Sequence, residues 1–401
     1  MPDTAYSRSP AMTGRTNATF APPIIAASRW LDGVTFPPER PLINVSQAAP
    51  VAPPPRALRE ALAEVVLTND AAHLYGPDLG LPELRAELAQ KWSRLYGGTI
   101  AAQDVAITAG CNQAFAAVVD ALTVEGDEVI LPTPWYFNHK MYLDMSGVRA
   151  LPLFTGPDLL PDPERAEALI TPRTRAIALG SPNNPAGVEY PAELIAAFMA
   201  LARRKGIKLI LDETYRDFDS RSAAPHDLFT DPDWRDTLIH LYSFSKAFRL
   251  TGHRVGAIIA DPPLLSEVEK FIDSVTICPN QLGQHAALWG LRHLDDWLAG
   301  ERQEILTRRA AIAHGFDGLA AQGWHMRGLG AYFAYVQHPF DASADEVAQR
   351  LVRDAGILLL PATMFVPPED TSGARHLRIA FANLDSAGIA TMVNRLSGFA
   401  I

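Results

Sequence analysis

Two patterns of hydrophobic and polar positions divide the chain. Over residues 56–66 and 81–95, apolar residues recur every three or four positions, and Gly97 and Gly98 follow the second stretch. This spacing predicts two amphipathic helices, the second ended by glycine. Farther along stand short apolar runs separated by helical stretches: DVAIT, DEVILP, RAIALG, IKLILD, TLIHLYSFS and RVGAIIA. Such runs, too short for helices and without polar alternation, are typical of strands buried on both faces of a mostly parallel sheet.

The pattern changes again after Leu264. A long helical region extends to about Leu319. The runs GAYFAYVQH, GILLLPA and RHLRIAFA then read as strands, alternating with helices around 343–355 and 385–396. The sequence therefore predicts an α/β fold, in which a large domain holds a mostly parallel, seven-stranded-type sheet between helices and a smaller domain is α+β.

These changes also predict domain bounds. We expect a flexible arm over residues 1–20, a segment over 21–50 that joins the small domain, a large ligand-binding domain over 51–295, and the small domain over 296–401.

Composition limits the class of protein and its partners. The 401 residues are 48% hydrophobic, and 35 basic against 45 acidic residues give a net charge of -10. This balance argues against nucleic acid or an anionic membrane surface as a partner. No window approaches the roughly 18 uninterrupted apolar residues of a membrane span. Cys111 and Cys278 lack zinc-site spacing, so we expect no metal and no disulfide, and a cytoplasmic location.

Polar residues follow the predicted strands at their carboxyl ends, where ligands of open α/β sheets bind. The segments, in chain order, are TAGCNQA, PTPWYFN, SPNNPAG, DETY and SFSK. The first places Gly110 between a strand and a helix, where backbone N–H groups could hold a phosphate, although for this motif alone an ordinary strand-to-helix turn is the favoured explanation. A GLG at 328–330 lacks the third glycine of a dinucleotide-binding motif.

Two residues in these segments, Asp212 and Lys246, indicate ligand binding or catalysis. Asp212 ends an apolar run that should be buried, so its carboxylate needs a cationic or donating partner, which a ligand nitrogen could supply. Lys246 stands among apolar neighbours, which lowers the pKa of its amine and favours attack on a carbonyl. Ser243, Ser245 and Arg254 could hold a phosphate beside it.

The full set of motifs resembles the class I/II aminotransferases, pyridoxal-phosphate enzymes of fold type I. The motifs that carry the resemblance span about residues 40–385 in order: YGPDLGLPELR, TAGCNQA, PTPWY, SPNNPAG, DETY, SFSKAFRLTGHRVG and HLRIAFA. The resemblance implies transfer of an amino group between an L-amino acid and a 2-oxo acid.

The resemblance also implies roles around the cofactor. Lys246 would bind pyridoxal 5′-phosphate as an internal aldimine and shuttle a proton between Cα and C4′ on the way to the pyridoxamine form. Asp212 would keep the pyridine nitrogen protonated. Tyr215 and Asn184 would hydrogen-bond the 3′-oxygen, and Tyr136 would stack on the ring.

Further implied roles concern the phosphate, the substrate and a second subunit. Tyr75 would reach the phosphate of the neighbouring subunit, which implies a homodimer with shared active sites. Arg378 would grip the substrate α-carboxylate. The implied phosphate cup consists of Gly110, Cys111, Asn112, Ser243, Ser245 and Arg254.

The sequence does not determine which substrate side chain the enzyme accepts. Many relatives have glycine where Ala48 or Ala49 stands, lining the substrate carboxylate, so the added methyl group could reshape the pocket. The residues considered as side-chain readers are Arg29, Trp30, His139 and Tyr332, but ordinary packing or a solvated surface explains each of them. His253 is expected to be structural.

Three other functions compete with amino transfer. A C–S β-lyase would use the same lysine, acid and phosphate cup. A serine hydrolase would use the S-x-x-K of residues 243–246, but here that motif follows rather than precedes S-x-N, and no K-T-G follows. A non-catalytic cofactor-binding regulator would need a basic helix-turn-helix arm, which twenty polar residues cannot form.

Overall fold

The computed structural model describes residues 14–401. Residues 1–13 of the predicted arm lie outside this range. The remainder of that segment forms a 3₁₀ turn at Arg15–Ala18, and the Thr19 hydroxyl donates to Asp144 at 3.1 Å.

The helices and strands follow one another along the whole described chain. The α-helices are α1 Pro23–Ser28, α2 Arg56–Thr68, α3 Pro82–Tyr96, α4 Cys111–Leu122, α5 Phe137–Ser146, α6 Pro163–Leu169, α7 Ala192–Lys205, α8 Phe244–Ala247, α9 Pro262–Thr276, α10 Gln281–His293, α11 Asp295–Leu319, α12 Ala344–Arg350 and α13 Ser386–Ser397. The strands are β1 Ile43–Asn44, β2 Val105–Thr108, β3 Glu128–Thr133, β4 Arg149–Phe154, β5 Thr174–Gly180, β6 Lys208–Asp212, β7 Leu238–Ser243, β8 Gly256–Ile259, β9 His325–Gly330, β10 Phe333–Gln337, β11 Ile357–Leu358, β12 Leu360–Pro361 and β13 His376–Ile379.

The larger sheet has seven strands in the order β2-β8-β7-β6-β5-β3-β4. Only β8 runs antiparallel to its neighbours, so the prediction of a mostly parallel sheet is confirmed. The sequence pattern did not predict β4. This strand lies at the sheet edge, is partly exposed and contains Pro152, and proline and exposure both weaken the signal of a buried strand.

Alternation along the central strands builds a core on each face of this sheet. In β6, Leu209 and Leu211 pack into one apolar cluster and Ile210 into another, and all three side chains are fully buried. Successive strand residues point to opposite faces, so an unbroken apolar run serves both layers of helices.

The smaller sheet is antiparallel, in the order β12-β13-β10-β9, and packs with α11 and α13. The N-terminal β1 pairs with β11, which places Ile43 opposite Ile357. Strand β9 contains the GLG of residues 328–330. A Cβ atom on Gly328 would lie 2.3 Å from the Ala186 carbonyl oxygen, and one on Gly330 would lie 2.2 Å from that of Gly187. These glycines thus allow close backbone packing against the loop that carries Asn184.

Within residues 14–401, no helix combines the length and apolar character needed to cross a membrane.

Candidate active site

One cavity is lined by the polar residues that follow the strands of the larger sheet. Strands β2, β3, β5, β6 and β7 run in the same direction, so the segments that follow them meet at one edge of the sheet. The cavity has a volume of about 460 Å³. Its lining includes most of the residues proposed from sequence: Ala48, Cys111, Asn112, Tyr136, Asn184, Asp212, Tyr215, Ser243, Ser245, Lys246, Arg254 and Arg378.

Lys246 extends into this cavity from the short helix α8, directly after β7. Its Nζ donates to the Ala48 carbonyl oxygen and lies 5.7 Å from the centre of the Tyr215 ring. Burial, together with the nearby guanidinium groups of Arg254 and Arg378, lowers the pKa of Lys246 to about 8. About a tenth of this amine is therefore uncharged at pH 7, far more than for an ordinary lysine, and can act as a nucleophile or base.

Asp212 lies at the end of β6 with donors on both carboxylate oxygens. The Thr214 backbone N–H donates to Oδ1 at 2.9 Å, and the Cys111 thiol lies 3.7 Å from the same oxygen. His139 Nε2 is 3.3 Å from Oδ2. Burial would raise the pKa of Asp212, but His139 and Thr214 outweigh that effect and bring the pKa below its usual value. Asp212 is therefore held as a buried anion facing the cavity.

The next residue, Glu213, faces away from the cavity into a buried polar cluster. Tyr96 donates to its Oε2, and His240 Nε2 lies 2.8 Å from the same oxygen. Burial would raise the pKa of Glu213, but His226 and His240 hold it well below its usual value. The contacts of Glu213 therefore fix the end of β6 on the side away from the cavity, while the Asp212 carboxylate faces the cavity.

One corner of the cavity is suited to an anion. Helix α4 begins at Cys111, and the first N–H groups of a helix have no partners within it. Gly110 precedes it with φ of +90°, and a Cβ there would lie 2.3 Å from Arg254 Nη2. Only glycine leaves room for this guanidinium beside the helix start. Ser243 accepts a hydrogen bond from the Ser245 backbone N–H at the same corner.

A second cation, Arg378, comes from β13 of the smaller sheet. Its side chain is only 2% exposed, and no ion pair joins it to a carboxylate within residues 14–401. Nη1 donates to Asn184 Oδ1 at 3.1 Å, Nη2 donates to the Ser46 carbonyl oxygen, and Nε has no partner among the described atoms. Burial lowers the pKa of Arg378 to about 10. A buried cation without a counter-ion favours an anionic ligand.

Two tyrosines complete the cavity wall. The Tyr136 hydroxyl donates to Asn112 Oδ1 at 3.2 Å, and burial raises its pKa. Tyr215 is 6% exposed, and its pKa is raised well above the usual value by burial and then by Tyr136. Both phenols therefore stay protonated at neutral pH and can donate hydrogen bonds.

Some residues proposed from sequence lie elsewhere. Tyr75 is 80% exposed and does not line this chain's cavity. Gly110 lies behind the lining, next to Arg254. Of the side-chain readers considered, only His139 lines the cavity, where it contacts Asp212, whereas Arg29, Trp30 and Tyr332 are outside the lining. Tyr332 instead packs on Phe218 with ring centres 4.8 Å apart.

Sequence reasoning missed several lining residues. Thr214 and Asn138 lie within the DETY and PTPWYFN segments but were given no role, and Ile24 comes from α1, far away in the sequence. His139 carried a signal that could have been used. His139 lies in the first turn of α5, three residues after Tyr136. Residues at this spacing share a helix face, so its imidazole is expected to face the same strand ends as Tyr136.

Comparison with known proteins identifies the family. The model of the family described as aminotransferase class I and II matches residues 40–396. The methionine aminotransferase of Escherichia coli is 30% identical over 361 residues, which covers 87% of this chain and 90% of the relative. The aspartate/prephenate aminotransferase of Thermus thermophilus is 27% identical over 354 residues, covering 85% and 86%.

A solved structure agrees with this family. The aspartate aminotransferase of Thermus thermophilus with maleate has a TM-score of 0.86 and 25% sequence identity, covering 97% of this chain and 100% of that one.

Proposed function

The chain belongs to the class I and II aminotransferase family, and from that premise we propose that Lys246, Asp212 and Tyr215 form its catalytic group. The protein is a pyridoxal-phosphate-dependent aminotransferase. The relatives described above are all named aminotransferases, so neither the β-lyase, the hydrolase nor the regulator has comparable support.

The cavity fits pyridoxal phosphate at both ends of the molecule. Because Gly110 has no Cβ, the Arg254 guanidinium lies beside the start of α4, where both could donate to a phosphate. Arg254 Nη1 also donates to the Thr251 carbonyl oxygen at 2.9 Å. At the other end, the anionic Asp212 matches a protonated pyridine nitrogen. When bound, the cofactor supplies a carbonyl carbon for the amino group and a ring that accepts electrons from Cα.

We assign orienting roles to the residues around the ring. Asp212, held by His139 and Thr214, keeps the ring nitrogen protonated through its negative charge. The Tyr215 hydroxyl and the Asn184 amide can donate to the 3′-oxygen. Tyr136, which lines the cavity, would cover the ring and exclude water from that side.

Lys246 moves the proton in this proposal. Its lowered pKa makes the free amine available near neutral pH, so Nζ can take the proton from Cα of the donor. Arg378 holds the donor carboxylate and thereby fixes the position of Cα relative to Nζ. The observation that carries the assignment is this pairing, in one cavity, of a lysine with a pKa of about 8 and a buried arginine that has no carboxylate partner among residues 14–401.

An assay of both products tests the function. Incubation of the holoenzyme with an amino donor and a 2-oxo acid acceptor should yield a 2-oxo acid and a new amino acid in equal amounts. No ammonia should appear, because the amino group stays bound between the two half-reactions. Release of pyruvate and ammonia from cysteine-like donors would instead establish the lyase.

We further propose that the enzyme is a homodimer with shared active sites. A patch of apolar side chains is open to solvent: Leu67 (79% exposed), Leu74 (69%), Tyr75 (80%) and Val275 (60%). His73 Nε2 lies 2.9 Å from the Val66 carbonyl oxygen, and the Gly76 N–H donates to Cys278 Sγ at 3.4 Å, so the segments that carry these side chains adjoin. Exposed apolar side chains on adjoining segments support an interaction surface, and in this proposal Tyr75 would contact the second subunit there.

Light scattering after size exclusion tests the dimer. The wild type should elute at twice the chain mass of 43.6 kDa. Leu67→Glu should shift the population to the monomer and lower turnover, because it buries a charge in the interface. Val124→Glu is the control, since Val124 is 70% exposed and lies outside the patch. A wild-type monomer at micromolar concentration would contradict the proposal.

We also propose a cytoplasmic location. Cys111 and Cys278 are both free thiols, which suits a reducing compartment. Recovery of the enzyme mainly outside the cytoplasmic fraction of lysed cells would contradict this.

A further inference from the structure

The carboxylate of Glu213 lies at the centre of a buried polar cluster behind the end of β6. The Tyr96 hydroxyl donates to its Oε2, and His240 Nε2 lies 2.8 Å from the same oxygen. His226 Nε2 faces Oε1 at 3.6 Å, slightly beyond a hydrogen bond. All four residues are at most 3% exposed within the single chain, so a second subunit would leave their contacts unchanged.

The contacts of the two histidines indicate which ring nitrogen carries the proton. The Leu228 backbone N–H donates to His226 Nδ1 at 3.2 Å, so that nitrogen is an acceptor and the proton lies on Nε2, towards Glu213. His240 Nδ1 is buried without a partner among the described atoms, and a proton there would lack an acceptor. Burial also lowers the pKa of His240, which agrees with a neutral ring. The carboxylate is thus surrounded by donors, as an ionised glutamate requires.

The Tyr96 hydroxyl also connects the two ends of the turn that carries Tyr215. It donates to Glu213 at the start of the turn and accepts from Arg216 Nε at its end, at 2.8 Å. The Arg216 backbone N–H donates to the Glu213 carbonyl oxygen at 3.1 Å. Tyr215 therefore lies in a turn that is closed by both a backbone and a side-chain connection.

The same strand end carries Asp212 on its other face. The Glu213 backbone N–H donates to the Leu241 carbonyl oxygen at 3.0 Å, and the Asp212 carbonyl oxygen accepts from the Ser181 N–H at 3.0 Å. Successive strand residues point to opposite faces, so a Glu213 side chain fixed behind the sheet directs the Asp212 carboxylate into the cavity. A shift of this strand end would move Asp212 and Tyr215 together.

We propose that Glu213 is a positioning residue for the cofactor, whose buried carboxylate fixes Asp212 and Tyr215 at the pyridine end of the site. The Tyr96 hydroxyl acts with it by holding both ends of the turn. The inference rests on the proposed function, because it takes Asp212 as the partner of the pyridine nitrogen. It goes further by giving a role in cofactor binding to a residue that does not line the cavity.

Two dissociation constants of the full-length apoenzyme, measured by calorimetric titration, test this role. Glu213→Gln keeps the shape of the side chain, but its NH₂ group must face one of the surrounding donors, which loosens the cluster. The Kd for pyridoxal phosphate should rise by roughly tenfold or more, because Asp212 and Tyr215 are displaced. The Kd for inorganic phosphate, which needs only the Arg254 corner, should stay within about twofold of the wild-type value.

The control is the same substitution at another buried glutamate. Glu128 is 3% exposed, lies at the amino end of β3 and outside the cavity, and accepts from the Arg149 guanidinium and the Thr171 hydroxyl. Glu128→Gln should lower the Tm but leave both dissociation constants unchanged. At saturating pyridoxal phosphate, Glu213→Gln should lower kcat by roughly tenfold with little change in the donor KM, whereas Glu128→Gln should change neither.

Tyr96→Phe provides a milder second variant, which decides the question if Glu213→Gln does not fold. It removes one hydroxyl and should raise the Kd for pyridoxal phosphate by a smaller factor, again without changing that for phosphate. An unchanged Kd for pyridoxal phosphate in the folded variants, or an equal rise for phosphate, would overturn the inference and leave the aminotransferase assignment intact. A wild-type chain that binds no pyridoxal phosphate would instead count against the proposed function.

Discussion

Replacing Lys246 by alanine is expected to abolish amino transfer while leaving the fold intact. The side chain is the one cavity amine whose pKa, about 8, allows it to take and return a proton at Cα near neutral pH. Loss of a positioned general base and nucleophile costs on the order of 10⁴-fold in kcat. The fold should persist, because Lys246 forms no ion pair within residues 14–401 and donates only to the Ala48 carbonyl oxygen.

The experiment needs a measurement of folding and a control variant in which another buried lysine is replaced. Circular dichroism and the Tm should be close to those of the wild type, and the variant should still bind pyridoxal phosphate through the Arg254 corner. Lys91→Ala is the control, since Lys91 is similarly buried (12% side-chain exposure), pairs with Asp295 and lies outside the cavity. It should lose some stability but keep its turnover. Retained turnover in Lys246→Ala would show that another group carries the proton.

Arg378→Ala is expected to raise the KM for the amino donor and to lower kcat/KM by roughly 10²- to 10³-fold. The guanidinium is buried with Nε unpartnered and without a carboxylate among the described residues, so its charge and the Nε–H remain available to a ligand anion. Steady-state kinetics with saturating acceptor measure the change. Arg378→Lys should recover only part of the loss, because an ammonium group cannot reproduce the two parallel hydrogen bonds of the fork.

Arg375→Ala provides the comparison for Arg378. Arg375 lies three residues earlier, donates to the Pro339 and Phe340 carbonyl oxygens and does not line the cavity. Its removal should leave the donor KM unchanged. If Arg378→Ala also left the donor KM unchanged, Arg378 would not be the carboxylate site.

Much of the candidate site could be predicted because its residues follow the carboxyl ends of strands in the larger sheet. In a mostly parallel sheet, segments that follow separate strands meet at one edge, so motifs far apart in sequence can be placed together without any contact information. Asp212, Lys246 and the SPNNPAG loop were located in this way, and the cavity contains all three. The family resemblance added roles that spacing alone could not supply.

The parts that were missed depend on packing between distant segments. Strand β4 has a weak pattern because it lies at an edge and contains Pro152. The GLG of β9 lacks the third glycine of a dinucleotide-binding motif, and only its contact with residues 186–187 explains the glycines. The contact of His139 with Asp212 joins a helix to a strand end far along the chain, and Ile24 enters the cavity from the N-terminal segment.

By itself, the sequence determined the α/β class and the family and predicted the candidate site residues, because each follows from local patterns: short buried strands, polar residues at their ends, and a lysine among apolar neighbours. Only the tertiary structure decided how Asp212 is held as an anion and why Arg378 has no carboxylate partner within residues 14–401. Those properties arise from burial and from atoms brought within a few ångströms by the fold. Desolvation and pairing act between neighbours in space, which the order of residues along the chain does not reveal.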